Sequence, residues 1–249
     1  MVEHQQVTSS IGLLAFCLTG AVFIAGAVWA ALQQSKKRQA LMAFCQSQGW
    51  TYTRDDGSLV SRWQGAPFGR GENRRATDVV RGVRDQRPFT AFNYQFVERH
   101  SDGKGGSTTT TYRYAVVALG LPAFLPTVEV VPDNVLTRAA AAIGLSPGIE
   151  LESEDFNRKF RVTGRDPKFA SDILSPRTME LLLRSPAHSW RIEGSDLLSW
   201  GNGRIDPVEV LGTLAPLCAV VAGIPTFVWH DHGYDPPGVQ EPPMEGSSS

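Results

Sequence analysis

From Ile11 to Leu32 the chain carries no charge (IGLLAFCLTGAVFIAGAVWAAL), and Lys36, Lys37 and Arg38 follow almost at once. As a helix rising about 1.5 Å per residue, this run is roughly 33 Å long. The hydrocarbon core of a bilayer is about 30 Å thick, so a helix here is expected to span it with slight tilt. Thr19 is its one polar side chain, and a helical hydroxyl can bond back to a carbonyl one turn earlier. The expectation is a transmembrane helix joined to a domain in water.

The flanks orient that helix. Residues 1–10 (MVEHQQVTSS) contain no Lys or Arg, whereas the basic triplet 36–38 lies just past the run. Basic flanks stay on the cytoplasmic side, so the expected topology is a single pass through the cell membrane, N-terminus out and the rest cytoplasmic. A cleaved signal peptide, with Val28 and Ala30 as the small-residue site, is the rival reading. It lacks a basic leader, and the apolar stretch exceeds the usual length of about 7–15 residues.

A formal charge of −1 gives no electrostatic bias toward nucleic acid, and no nucleic-acid partner is expected. The three cysteines, Cys17, Cys45 and Cys218, share no short spacing. A disulfide framework or zinc site needs closer or more numerous thiols. Three reduced thiols suit a cytoplasmic domain.

The chain then divides into a short extracytoplasmic N-terminus (1–10), the span (11–32), a juxtamembrane helix (33–49), a domain (50–230) and a disordered tail (231–249). In 33–49, Leu41, Phe44 and Cys45 share one helical face, and Gly49 is a natural stop. Trp50 to Thr53 alternates aromatic with Thr, as a strand does. From Ala76 the segments ATDVVRGV, PFTAFNYQFVE, TYRYAVVALG and TVEVV are β-branched or aromatic, separated by turn-rich breaks. Phe92, Tyr94 and Phe96 share one face and Asn93 and Gln95 the other, which predicts an antiparallel sheet with one wet face. HSDGKGGSTTT (100–110) reads as a solvated hairpin tip, lacking the spacing of a phosphate-binding loop.

The second half is more helical. Asp166-Pro167, Ser175-Pro176 and Asp206-Pro207 each put a capping oxygen before a proline suited to a first helical turn. Ser189–Ile192 and Leu197–Trp200 read as a hairpin around residues 193–196. Val210 to Trp229 is uncharged and long enough for a second span. Gly212, Pro216, Gly223 and Pro225 interrupt it, so the expectation is a core helix followed by an extended Ile224–Trp229. The predicted fold is α+β: an N-terminal transmembrane helix, then an antiparallel sheet of about five to seven strands with helices packed on one side.

Few constellations suggest chemistry. Arg70, Arg74, Arg75, Arg81, Arg84 and Arg87 cluster against only three acids. With Lys36, Lys37 and Arg38, the residues Arg70, Arg74, Arg75 and Arg81 are the candidate contacts for anionic headgroups; a solvated surface is the plain alternative. Glu150, Glu152 and Glu154 would line one face of an extended segment, and like charges there can raise a carboxyl pKa. His230, His232 and Asp235 form a loose metal triad without supporting residues. No hydrolase, zinc-protease, dinucleotide or kinase motif occurs, so no catalytic, cofactor or metal residues are assigned. Ala21/Ala25, Gly26/Ala30 and Ala27/Ala31 place small residues at helical spacing, compatible with a homo-oligomer.

Gly49–Tyr52, Leu121-Pro122, Glu152–Arg158 with Phe160–Val162, Ser175–Glu180, and Ile224-Pro225 with Phe227–Trp229 together resemble segments of a family of uncharacterised actinobacterial single-pass membrane proteins. Similar segments occur in a broader group of bacterial membrane-tethered domains. The resemblance covers most of residues 37–230, implies the same architecture and carries no catalytic residues. The expected function is a membrane-tethered interaction or sensing module with a protein partner. The alternatives are a membrane-anchored hydrolase using carboxylates near Glu152 and an envelope-assembly structural factor.

Overall fold

The computed structural model describes the backbone of residues 2–101, 103, 106–132, 148–186 and 188–236, and their side chains except those of 2–23 and 27. The chain divides into two compact units, Met1–Gln48 and Gly49–Ser249. The first is one continuous helix, α1 (Val2–Ser47). It ends where Gly49 takes a φ of 68°, a left-handed conformation that glycine adopts without a Cβ penalty. Most side chains of the uncharged run 11–32, including Thr19, Cys17, Ala21 and Ala27, lie outside the described residues. Among those described, no helix is long and apolar enough to cross a membrane. The tail expected to be disordered lies outside them from residue 237 onward.

The second unit is α+β. Its strands are β1 (Thr51–Asp55), β2 (Glu72–Arg84), β3 (Arg87–Ser101), β4 (Ser107–Pro132), β5 (Phe160–Gly164) and β6 (Ser189–Asn202). They form one six-stranded antiparallel sheet in the order β1-β2-β3-β4-β5, with β6 on the other edge of β4. The β3–β4 register runs unbroken from Phe89↔Leu119 to Ser101↔Ser107, so both strands extend into the polar break expected as a longer loop.

Period-2 alternation sorts the two faces. Phe92, Tyr94 and Phe96 share one with Val116, Ala118, Leu198 and Trp200. The other carries Val80, Ala91, Val117 and Leu119, all buried. That second face was expected to be wet, and it is not. Asn93, 8% exposed, donates to Asp78 Oδ2 at 2.9 Å and accepts from the Ile205 amide at 2.7 Å. Tyr52 donates to the same Asp78 carboxylate at 2.7 Å. An amide with both ends bonded is tolerated inside the unit, so polarity alone did not mark an outer face.

Helices α2 (Glu154–Lys159), α3 (Pro167–Ile173), α4 (Pro176–Arg184), α5 (Pro207–Gly223) and α6 (Thr226–Asp231) supply the helical layer. Asp166, Ser175 and Asp206 cap α3, α4 and α5 as their sequences predict, accepting from Phe169, Thr178 and Glu209. Asp206→Ala is expected to destabilise the unit by about 1 kcal/mol in chemical unfolding, as loss of an N-cap does. Of the segment expected to be extended, only Ile224 and Pro225 are. Thr226–Asp231 is the short helix α6 instead, and it buries Val228 and Trp229. Trp50 and Tyr52 are half-buried, because β1 has one neighbouring strand.

Two further departures concern chain path. TYRYAVVALG and TVEVV are parts of one 26-residue strand, β4, whose Pro122 and Pro126 fall where its register against β6 slips, a place where proline does little harm. The expected hairpin at 189–200 is instead the single strand β6, both halves pairing with β4. This ribbon folds over at Gly194, whose φ is 65°; a Cβ there would sit 2.9 Å from the Phe124 ring. The fold brings Ser199 Oγ to 3.1 Å from the Ser189 carbonyl.

Candidate functional site

Two features of the second unit combine buried polar groups with shape. The first is a strap, residues 56–71, lying over the Phe92 face. It contributes Leu59, Trp63 and Phe68 to the core and is tied to β6 by charge. Arg191, 4% exposed, contacts Glu193 Oε2 at 3.0 Å and Glu129 Oε2 at 3.3 Å. Its guanidinium also donates to the strap carbonyls of Gln64 and Ala66 and lies 5.2 Å from the Trp200 ring centre. Asp196 accepts from Trp63 Nε1 at 3.0 Å and from Arg62 at 3.0 Å. Glu193 returns to the strap by accepting from the Gln64 amide at 2.9 Å.

Apart from the Arg191 Nε–H, which is buried without a hydrogen-bond partner, these groups satisfy one another, which is a structural use of charge. Burial holds the Glu129 carboxyl above its ordinary value, against the pull of Arg191.

The second feature is a cleft where the folded β6 meets α4 and α5. Phe160, Leu182, Leu217 and Val220 form apolar walls, and Trp190, Ser199, Thr213 and His188 also line it. His188 Nδ1 lies 3.5 Å from Thr213 Oγ1, and its Nε2 lies 3.9 Å from Glu209 Oε1. The Trp190 indole N–H is buried without a hydrogen-bond partner. Sequence reading missed this cleft, because its walls come from four separate elements and none carries a motif.

Within the second unit, the candidate headgroup residues Arg74 and Arg75 lie apart from Arg81 along β2. Lys36 and Lys37 are exposed and Arg38 is half-buried on α1. Arg70 pairs with Glu98 at 3.0 Å, and Arg81 pairs with Asp56. Arg74 and Arg75 are exposed near the start of β2, whereas Arg81 pairs with Thr51 toward its other end. Six residues of strand separate Arg75 from Arg81, roughly 20 Å.

The glutamate row is broken. Ser153 caps α2 and Glu154 begins it, leaving Glu150 and Glu152 exposed on the segment before. His230 Nδ1 pairs with Asp235 at 2.5 Å, while His232 turns to the Phe169 ring. Among the described residues, no group of three His, Cys, Asp or Glu could hold a metal ion.

The two described thiols, Cys45 and Cys218, are poor nucleophiles. Burial raises Cys45, and burial with the nearby Asp85 carboxylate pushes Cys218 up to about 11. Since the thiolate is the reactive form, Cys218 should react with iodoacetamide at pH 7.5 far more slowly than free cysteine. The rate should climb as pH passes 10. A peptide-mapped rate at pH 7.5 equal to that of free cysteine would contradict this.

Fold and cleft together define an α+β domain built on a folded, strapped antiparallel sheet. No protein-family model and no curated protein matches the chain. The crystal structure of the mycobacterial trehalose monomycolate transport factor A, TtfA, is similar in fold, with a TM-score of 0.52. The likeness covers 76% of this chain and 96% of that one at 15% identity, and it shows the shared fold alone.

Proposed function

We propose that the protein is a membrane-tethered interaction module, with α1 as a single-pass anchor in the cell membrane and the second unit on the cytoplasmic side. The observation that carries this reading is one unbroken helix, Val2–Ser47, leading into a separate compact unit. Its sequence holds the uncharged run 11–32 and then Lys36, Lys37 and Arg38. The resemblance to actinobacterial single-pass proteins agrees with it. Binding is favoured over catalysis by how the buried charges are used: Arg191, Glu129, Glu193 and Asp196 are spent on each other and on the strap. Large apolar side chains on the second unit meet solvent, Val208 at 80% exposure and Phe227 at 48%, and Val208 is the point at which partner binding is tested.

Reporter fusions after Ala40 and after Ser249 should both report cytoplasm. Opposite sides would mean that 210–229 crosses a bilayer, and the topology would fall. Affinity capture of the intact, membrane-extracted protein should recover a partner that Val208→Asp loses. Identical recovery with and without that substitution would remove the surface from the reading.

A second reading is an envelope-assembly or transport factor. One observation favours it: the fold resembles a trehalose monomycolate transport factor. Partners drawn from envelope-lipid transport in the capture experiment would select it over sensing.

A further inference from the structure

We propose that the end of the sheet where β2 and β4 begin binds an acidic segment of a protein partner, through Arg75 and Arg113 with Arg204 beside them. The proposal rests on the second unit being an interaction module and names the chemistry of its partner.

Register brings the cations together. Gln95 of β3 is paired with Arg75 of β2 on one side and with Arg113 of β4 on the other. Directly opposed residues present their side chains to the same face. With strands about 4.8 Å apart, the two arginines stand roughly 10 Å from each other at their Cα atoms. The same face is buried at Ala91 and Val117, but here Arg75 and Arg113 are exposed and Gln95 is half-buried. The Gly203 amide donates to the Arg113 carbonyl at 3.1 Å, which sets exposed Arg204 beside the row.

The row is not neutralised from within the unit. Arg54, Arg81, Arg84 and Arg99 each have a carboxylate within 3.8 Å. Among the described residues, Arg75, Arg113 and Arg204 have none. The acids at this end are already engaged, Glu72 with Arg99 at 3.8 Å and Glu98 with Arg70 at 3.0 Å. Cations about 10 Å apart are separated by roughly one screening length in physiological salt, so they repel each other weakly and attract an anion jointly.

The row also lies in a step. The Ile205 amide donates to Asn93 Oδ1 at 2.7 Å, so the chain entering α5 crosses the sheet one same-face position short of Gln95. A flat anionic bilayer brought down on the row would also meet Asp206 and Glu209, the acids that follow Ile205. An extended chain can instead lie across the strands beside the crossing. In such a chain, residues three apart are roughly 10 Å from each other, the spacing of Arg75 and Arg113. A guanidinium takes a carboxylate through paired N–H bonds. The partner that fits is an extended segment with an acid at every third position.

The test uses the full chain in nonionic detergent and a dye-labelled peptide of four Glu-Ser-Ser repeats, read by fluorescence anisotropy. Binding should saturate, weaken as salt rises and be absent for the matching Gln-Ser-Ser peptide. Arg75→Gln with Arg113→Gln should weaken it about tenfold, the loss of two exposed charge pairs. Arg84→Gln, at the far end of β2, should leave it unchanged. Arg75→Glu with Arg113→Glu should instead take up a Lys-Ser-Ser peptide, a gain that a misfolded chain would not show. Equal binding of the acidic peptide by wild type and the double Gln variant overturns the proposal. So does stronger displacement by DNA, or by mixed micelles carrying phosphatidylglycerol, than by unlabelled peptide at equal charge. Capture through Val208 is read separately, so a failure of the row and a failure of the module reading are told apart.

Discussion

Arg191→Leu is expected to destabilise the second unit by about 3–5 kcal/mol, the usual result of removing one partner from a buried ion pair. The substitution leaves Glu129 and Glu193 without their shared cation and strips two donors from the Gln64 and Ala66 carbonyls. Chemical unfolding of the full chain, followed by tryptophan fluorescence, reads the loss. Adding Glu129→Gln to Arg191→Leu should recover part of it, because one of the two stranded charges is gone. The two substitutions share a contact and should not add.

In wild-type background Glu129→Gln should be mild, since Glu193 still neutralises Arg191 at 3.0 Å. Its pH dependence has a definite sign. A carboxyl raised by burial contributes stability below its unfolded pKa and loses it as pH rises through the higher folded value. Wild type should therefore gain on Glu129→Gln as pH falls toward 4. An Arg191→Leu protein within 1 kcal/mol of wild type would reduce the latch to decoration.

Phe68→Ala should have an effect of similar size, about 3–5 kcal/mol for a buried phenylalanine. Its ring lies 5.0 Å from that of Tyr94 and 5.4 Å from that of Trp63. Phe124→Ala is the matched control: the ring is 76% exposed, and its loss should stay within about 0.5 kcal/mol. Equal effects at the two positions would show that the strap does not close the core.

Local chemistry made some of this architecture legible. Asp166, Ser175 and Asp206 announce their helices because a cap and a following proline act within four residues. Phe92, Tyr94 and Phe96 announce a buried face because alternation is a property of the strand itself. The hairpin expected at 193–196 shows how such signals fail. Gly194 does turn the chain at a φ of 65°, but the partner of both halves is β4, which no local pattern names. The strap was passed over for the same reason: Trp63 and Phe68 lie outside any periodic run and are buried through contacts across the chain.

Arg191 carries this furthest. Within Ser189–Ile192 it reads as the outward residue of a strand, yet it is among the most buried charges of the unit. What makes that tolerable is Glu129 in sequence-distant β4, Glu193 on its own strand and two carbonyls from the strap. The Trp190 cleft likewise exists only once β6, α4 and α5 have met. The sequence by itself determined the uncharged run with its basic flank, the helix starts and the alternating core strands, since each depends on neighbours within a few residues. The tertiary structure decided the folded ribbon, the charged latch and the cleft, because burial of a charge or an indole depends on groups that only long-range pairing brings together.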